Sequence, residues 1–315
     1  MSARNARAKS RNQSYRSDQR NVCPPCVTGA IFTFRRVDIF KEKKTSAVTK
    51  RRVIRFQNAQ RIPTILVERF IERMEPIRMV PERLLNLGSA AGHLHLALRV
   101  KYPSTTIISL ERDRWFCEAS RISRWRRVFR KDFVVCGSCD AIPVPSASVD
   151  MVCANLTWVR AEELSEVLHE CARVLRAPGL LMLVSYGPQT LVELRDAWSR
   201  LDRWEHTHRF ADMHDIGDAM VGARLCDVVV DSERLTVEFD DMQSLLSEVR
   251  DCGGGNRATL RRRGLTSASV LRELSAAYAD AGGYVTASVE LVFAHAWLNQ
   301  RPGTVVAGPV GLPTS

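Results

Sequence analysis

The residues best placed to do chemistry lie between Leu84 and Gly92, in the stretch LLNLGSAAG. The run Arg83 to Leu87 suits a strand covered on both faces, and Gly88, Ser89, Ala90, Ala91 and Gly92 make a small-residue turn ahead of a helix. Small side chains let backbone N–H groups approach a ligand, so the segment reads as a nucleotide-type binding loop. The next apolar run, Thr106 to Leu110, ends in Glu111. That is about 20 residues past the loop, where a doubly wound fold places the carboxylate that holds a ribose diol. Tight strand-to-helix turns that bind nothing share the loop's composition, and Glu111 is what favours the ligand reading. Two positions depart from the usual pattern. Ala90 stands where a third glycine is normal, and Asn86 stands where such loops carry an acid. An amide can accept a hydrogen bond there but supplies no charge.

Helix and strand patterns alternate from about residue 53 to 187, which predicts a parallel sheet with crossover helices. Residues 62–78 place Ile65, Leu66, Phe70 and Ile71 at helical spacing, with charges opposite. Strands are expected at 84–88, 106–111, 133–136, 149–154 and 180–186, with helices at 92–101, 113–129 and 161–175. The sequence Ala177-Pro178-Gly179 reads as a stop after the last of these helices. Beyond Gly187 the pattern gives helices at 189–204, 214–223, 241–251 and 267–281. One or two strands are expected at 227–238, paired antiparallel with a closing strand at 285–297.

The net charge of +11 is concentrated at one end of the chain. Residues 1–52 hold 14 Lys or Arg and 3 acids, which leaves the remainder balanced at 32 against 32. A basic arm of this composition is expected to be disordered and solvated, and the neutral body argues against nucleic acid as the partner. No window approaches 18 apolar residues without a charge, and no apolar core follows the basic start. A cytoplasmic protein without a membrane span is therefore expected. The pairs Cys23/Cys26 and Cys136/Cys139 are much farther apart than the pairs of a zinc ribbon, so no metal is expected and the cysteines read as small core residues. His93 and His95 diverge by about 200° on one helix and cannot share a metal through one face; they read as surface groups near a pocket mouth.

Several stretches resemble one family together: GPQTLVELR (187–195), HRFA (208–211), DIGDA (215–219), Gly255-Asn256, RRRGLT (261–266) and AHAW (294–297). They are similar to the malonyl-[acyl-carrier protein] O-methyltransferase (BioC) family of class I methyltransferases that use S-adenosyl-L-methionine (AdoMet), over roughly residues 51–297. The resemblance implies an α/β, Rossmann-like seven-stranded sheet with helical lid insertions at about 188–215 and 240–282. The domain would run over 53–298, between the basic arm and a flexible tail at 299–315. AdoMet would be held by Asn86, Gly88, Ala90, Gly92, Glu111, Ser138, Asn155 and Leu156. Ser138 falls where the class usually has an Asp for the adenine amino group, and the segment after the fourth strand is shortened. The substrate would be the free carboxylate of a malonyl thioester on acyl-carrier protein, methylated in biotin synthesis.

A carboxylate is already a nucleophile and a sulfonium a leaving group, so alignment and desolvation do most of the work and no general base is required. The natural requirement is a cation for the malonyl carboxylate. Arg195 is the candidate, because a guanidinium grips carboxylates in a fixed plane, and Tyr186 and His208 are candidates for the pocket wall. Arg261, Arg262 and Arg263 are candidates for docking the acidic carrier. Two alternatives stand beside this reading: a diverged, non-catalytic relative, and an AdoMet-dependent hydroxylase or assembly factor of respiratory complex I, which resembles the same GPQTLVELR stretch.

Overall fold

In the computed structural model, residues 61–88, 93–112, 132–156, 163–207, 209–251, 261, 264, 266–278 and 285–299 are described. Helix α1 (Arg61–Arg73) leads into strand β1 (Arg83–Leu87), helix α2 (His93–Lys101) and strand β2 (Thr106–Glu111). Strands β3 (Asp132–Cys136) and β4 (Val149–Asn155), helix α3 (Leu164–Val174) and strand β5 (Leu175–Tyr186) complete the first half. Helices α4 (Val192–Ser199) and α5 (Met213–Gly222), strand β6 (Cys226–Phe239), helices α6 (Met242–Asp251) and α7 (Ala268–Tyr278), and strand β7 (Val285–Leu298) follow.

The seven strands form one sheet in the order β3-β2-β1-β4-β5-β7-β6. Strands β1 to β5 pair in parallel, and β7 runs antiparallel to β5 and β6. The chain starts in the middle of the sheet at β1, works outward to β3, then returns to β4 on the other side. That reversal opens a crevice between β1 and β4 at the carboxyl ends of the strands, where open α/β sheets bind ligands.

Alternation along the central strands makes two cores. Leu84, Ile107, Met151 and Met182 face α1 and α2 with Phe70, Met74, Leu94 and Leu98. Leu85, Leu87, Ile108, Val152 and Leu181 face α3 and α5 with Val167, Leu168, Ile216 and Met220. Each such side chain contributes roughly 1.5–3 kcal/mol by leaving water, which is why the strands read as unbroken apolar runs.

The expected elements are present with ends displaced by a few residues, apart from the predicted helix at 113–129, which lies outside the described residues. One boundary is corrected. Helix α3 does end where Pro178-Gly179 announces a stop, but β5 already begins at Leu175. Leu175 pairs with Val149 and Leu180 with Met151, so the Pro-Gly segment bulges within the strand instead of separating helix from strand. A second correction concerns His95. It is not a surface group: Nδ1 lies 3.2 Å from Ser109 Oγ and Nε2 3.6 Å from an Asp132 carboxylate oxygen. Beside it the buried Arg99 guanidinium donates to the carbonyls of Tyr102, Pro103 and Thr105 and pairs with Asp132. Burial works to raise the Asp132 pKa, but the hydrogen bonds and charges of His95 and Arg99 outweigh it and hold the carboxyl below its ordinary value. The described cysteines are free thiols, and Cys153 and Cys171 are fully buried, which pushes both pKa values up. No helix among the described residues is long and apolar enough to cross a membrane.

Candidate active site

Five strand ends converge on the crevice. Gly88 follows β1, Glu111 ends β2, Ser138 lies two residues past β3, Asn155 and Leu156 close β4, and Tyr186 closes β5. Register brings the first four onto one edge. Leu87 pairs with Leu110 on one side and Ala154 on the other, so Gly88 emerges between Glu111 and Asn155. Glu111 pairs with Cys136, and its carbonyl accepts from the Gly137 amide, which places Ser138 next along the rim.

The sequence dictates this geometry in two places. Gly88 has φ of +64°, and its amide donates to the Leu110 carbonyl at 3.3 Å. A Cβ at that position would lie 2.7 Å from the Asn155 carbonyl oxygen, so only glycine lets β1 turn so close to β4. Asn86 sits level with Ser109 on β2 and Cys153 on β4, and all three side chains therefore share a face. It is fully buried, and neither its amide nitrogen nor its amide oxygen has a hydrogen-bond partner among the described residues. A buried amide left in this state costs about 1–3 kcal/mol, so it is retained against the interest of stability. Glu111 is likewise buried, a carboxylate kept at the lip of the sheet. Ala90 and Gly92 lie outside the described residues.

A second cavity adjoins the end of β5. Tyr186 packs edge-on to Phe210, with ring centroids 5.4 Å apart. The turn from Gly187 to Thr190 is fastened to β7: the Gly187 amide and the Thr190 hydroxyl donate to the Glu290 carbonyl, and the Gln189 amide donates to the Glu290 carboxylate. Helix α4 starts from that turn and carries Arg195 back over it. Arg195 Nη2 donates to the carbonyls of Pro188 at 2.9 Å and Thr190 at 2.8 Å, while Nε is buried without a partner among the described residues. Across the cavity Trp198 stacks flat on His206, centroids 3.7 Å apart, and His206 Nε2 meets the Asp202 carboxylate at 2.8 Å. The cavity measures about 750 Å³, and Arg195, Trp198, His206 and Phe210 are part of its wall.

The structure thus brings Asn86, Gly88, Glu111, Ser138, Asn155 and Leu156 to one edge, with Tyr186 at the neighbouring strand end and Arg195 beyond it. His208 lies outside the described residues, as do Arg262 and Arg263, and Arg261 is exposed. Sequence reading missed Trp198, Asp202, His206 and Phe210. The Asp202–His206 spacing of four residues was the available signal, but the segment after α4 has no helical or strand period to fix which way its side chains turn.

Comparison with known proteins places this geometry. Residues 85–183, from β1 into β5, match a family model described as a methyltransferase domain. The chain is 37% identical over 235 residues to the malonyl-[acyl-carrier protein] O-methyltransferase of Gallionella capsiferriformans, covering 73% of this chain and 81% of that protein. The chain belongs to the malonyl-[acyl-carrier protein] O-methyltransferase family. The enzyme of that name from Halorhodospira halophila is 34% identical over 236 residues, covering 74% of this chain and 79% of its own. The YcgJ protein of Bacillus subtilis superposes with a TM-score of 0.54 at 16% identity, covering 76% of this chain and all of that one, which shows the shared fold.

Membership in this family makes the chain an O-methyltransferase with AdoMet as methyl donor, and its residues fit that ligand. The strand-end crevice holds a buried carboxylate at the end of β2, a buried amide in β1 unpaired among the described residues, and at Gly88 a turn that a side chain would obstruct. Asn86 gives a direct test. Asn86→Leu, close in shape but apolar, removes two unpaired buried polar atoms and is expected to raise unfolding stability by about 1–2 kcal/mol. The same change is expected to weaken AdoMet about tenfold, the equivalent of one hydrogen bond. Denaturant unfolding and calorimetry on one preparation measure both. A less stable variant with unaltered AdoMet binding would reduce Asn86 to an ordinary strand residue.

Proposed function

We propose that this chain transfers the methyl group of AdoMet to the free carboxylate of a malonyl thioester carried on acyl-carrier protein, the masking step of biotin synthesis that its family resemblance implies. A cytoplasmic location goes with that reading. The observation that carries it is the adjacency of two differently built cavities: a strand-end crevice suited to AdoMet, and beside it an aromatic cavity with a fixed guanidinium. We assign Asn86, Gly88, Ala90, Gly92, Glu111, Ser138, Asn155 and Leu156 to the cofactor, and Arg195, Tyr186 and His208 to the acceptor. The segments 188–215 and 240–282 are assigned as lid over the acceptor.

Bound AdoMet supplies an electrophilic methyl group on a sulfonium. The protein's task is to hold a carboxylate in line and dry. Arg195 is immobilised by the carbonyls of its own turn, so its guanidinium meets a carboxylate with little further loss of side-chain freedom. Trp198 and Phe210, the latter backed by Tyr186, form an apolar wall that strips water from the nucleophile, which strengthens its electrostatic contacts. Methylation neutralises the charge that Arg195 grips, and the product ester loses that ion pair and is free to leave.

The decisive measurement is ester formation on malonyl-loaded carrier protein with AdoMet, followed by mass spectrometry. Methyl transfer that disappears when acetyl carrier replaces malonyl carrier is the expected result. A folded protein that shows no heat with millimolar AdoMet would sink the assignment.

A further inference from the structure

The acceptor cavity opens onto a surface whose composition is unusual for a solvated rim. Trp204 is 47% exposed, and it lies between Arg203, also exposed, and Arg209, whose side chain is 86% exposed. Arg200, exposed at the end of α4, donates to the carbonyl of Ala277 on α7, a neutral acceptor, and has no ion pair among the described residues. The acids of the same segment are partly occupied. Asp202 accepts from the Trp204 amide at 2.9 Å and meets His206, and Glu205 pairs with Arg209 at 3.2 Å in a solvent-exposed pair of little strength. Three arginines and one exposed tryptophan therefore line the same cavity that Arg195 enters. Trp and Arg are the residues most enriched at the energetic centres of protein interfaces.

We propose that Arg200, Arg203, Trp204 and Arg209 form the docking surface for the acidic carrier protein, so that the carrier's thioester arm enters the cavity beside Trp198 and His206. This rests on the malonyl-carrier reading above and adds where the carrier sits. Charge complementarity selects the occupant. An acidic helical carrier supplies carboxylates to three guanidiniums, whereas a second copy of this chain would oppose arginine with arginine across a two-fold axis. The location differs from the run at Arg261 to Arg263 expected from sequence, and it has the advantage of opening directly into the acceptor cavity. The surface also separates recognition from chemistry: a rim charge changes encounter and carrier affinity, while Arg195 inside acts on the carboxylate whatever carries it.

The test compares two acceptors, malonyl-carrier protein and a short malonyl thioester of N-acetylcysteamine. For Arg203→Glu/Arg209→Glu, KM for the carrier substrate is expected to rise about tenfold with kcat held within about twofold, the loss growing as salt is lowered. The short thioester is expected to be turned over as by the parent. Arg203→Lys/Arg209→Lys keeps the charges and is expected to recover most of the carrier KM, which separates charge from misfolding. Trp204→Ala is expected to weaken the carrier substrate about tenfold or more. Unchanged carrier KM in the glutamate variant, or equal loss with both acceptors, overturns the docking surface while leaving the methyltransferase reading in place. A parent enzyme that methylates neither thioester overturns the acceptor assignment itself, and the docking surface with it.

Discussion

Gly88→Ala is expected to cost about 2–4 kcal/mol of stability and to weaken AdoMet on the order of 100-fold. Two penalties combine at this one position. The backbone has φ of +64°, where an alanine Cβ crowds its own carbonyl by about 1–2 kcal/mol. The added Cβ would also lie 2.7 Å from the Asn155 carbonyl oxygen, and a main-chain atom in the middle of a sheet cannot swing aside as a side chain could. The strain has to be relieved by moving the end of β1 away from the end of β4, and those two ends are the walls of the crevice. A shift of about an ångström there is enough to lose two decades of binding, because every strand-end group is displaced from the same ligand together. Thermal unfolding gives the first number and calorimetry with AdoMet the second. A variant with parental AdoMet affinity would mean that the crevice between β1 and β4 is not where the cofactor lies.

The contrast between this half of the molecule and the other explains what could be read from residues alone. Strands β1, β2 and β4 are buried on both faces, so Leu84, Leu85, Leu87, Ile107, Ile108 and Val152 had to be apolar in succession, and a single run of residues announced each strand. Glycine at 88 and the acid at 111 stood at the ends of such runs, and register then forced them onto one edge. The long antiparallel pair was equally legible, since Val285 to Leu298 is rich in β-branched and aromatic residues. Three things were not. His95 looked like a surface residue because helical spacing tells which residues share a side, not what opposes them; Ser109 and Asp132 on neighbouring strands decide that. Pro178-Gly179 looked like a clean break because local turn chemistry cannot foresee that β4 pairs with Leu175 before the bulge and Leu180 after it. The cavity beside β5 was invisible beyond Arg195, because the helix expected over 189–204 stops at Ser199, and Asp202, His206 and Phe210 then meet Trp198 through a segment where only tertiary packing sets direction.

Arg195→Ala is the prediction with the largest expected effect on turnover: a fall of about 100- to 1000-fold in kcat/KM for the malonyl thioester, with AdoMet affinity within about twofold of the parent. The magnitude follows from what the substrate loses. A malonyl carboxylate brought into a cavity walled by Trp198 and Phe210 gives up its water, and without a guanidinium it is a buried charge with no counterion, which costs about 3–5 kcal/mol when one partner of such a pair is removed. Arg195 also has a structural duty, donating to the Pro188 and Thr190 carbonyls, and the two roles make opposite demands on the kinetics. If the arginine only fastens its turn, the Gly187–Thr190 segment remains tied to Glu290 of β7 after truncation, and the loss should be small and appear chiefly as lower thermal stability. If it also holds the acceptor, the loss is specific to acceptors that carry a free carboxylate. Arg195→Lys sharpens the distinction, because an ammonium retains the charge but cannot hold both turn carbonyls and a carboxylate in one plane; intermediate activity with a raised KM is expected. Steady-state kinetics on malonyl-carrier, alongside calorimetry with AdoMet, separate these outcomes. Alanine at this position with parental kcat/KM would confine Arg195 to the turn and require another cation to hold the malonyl group.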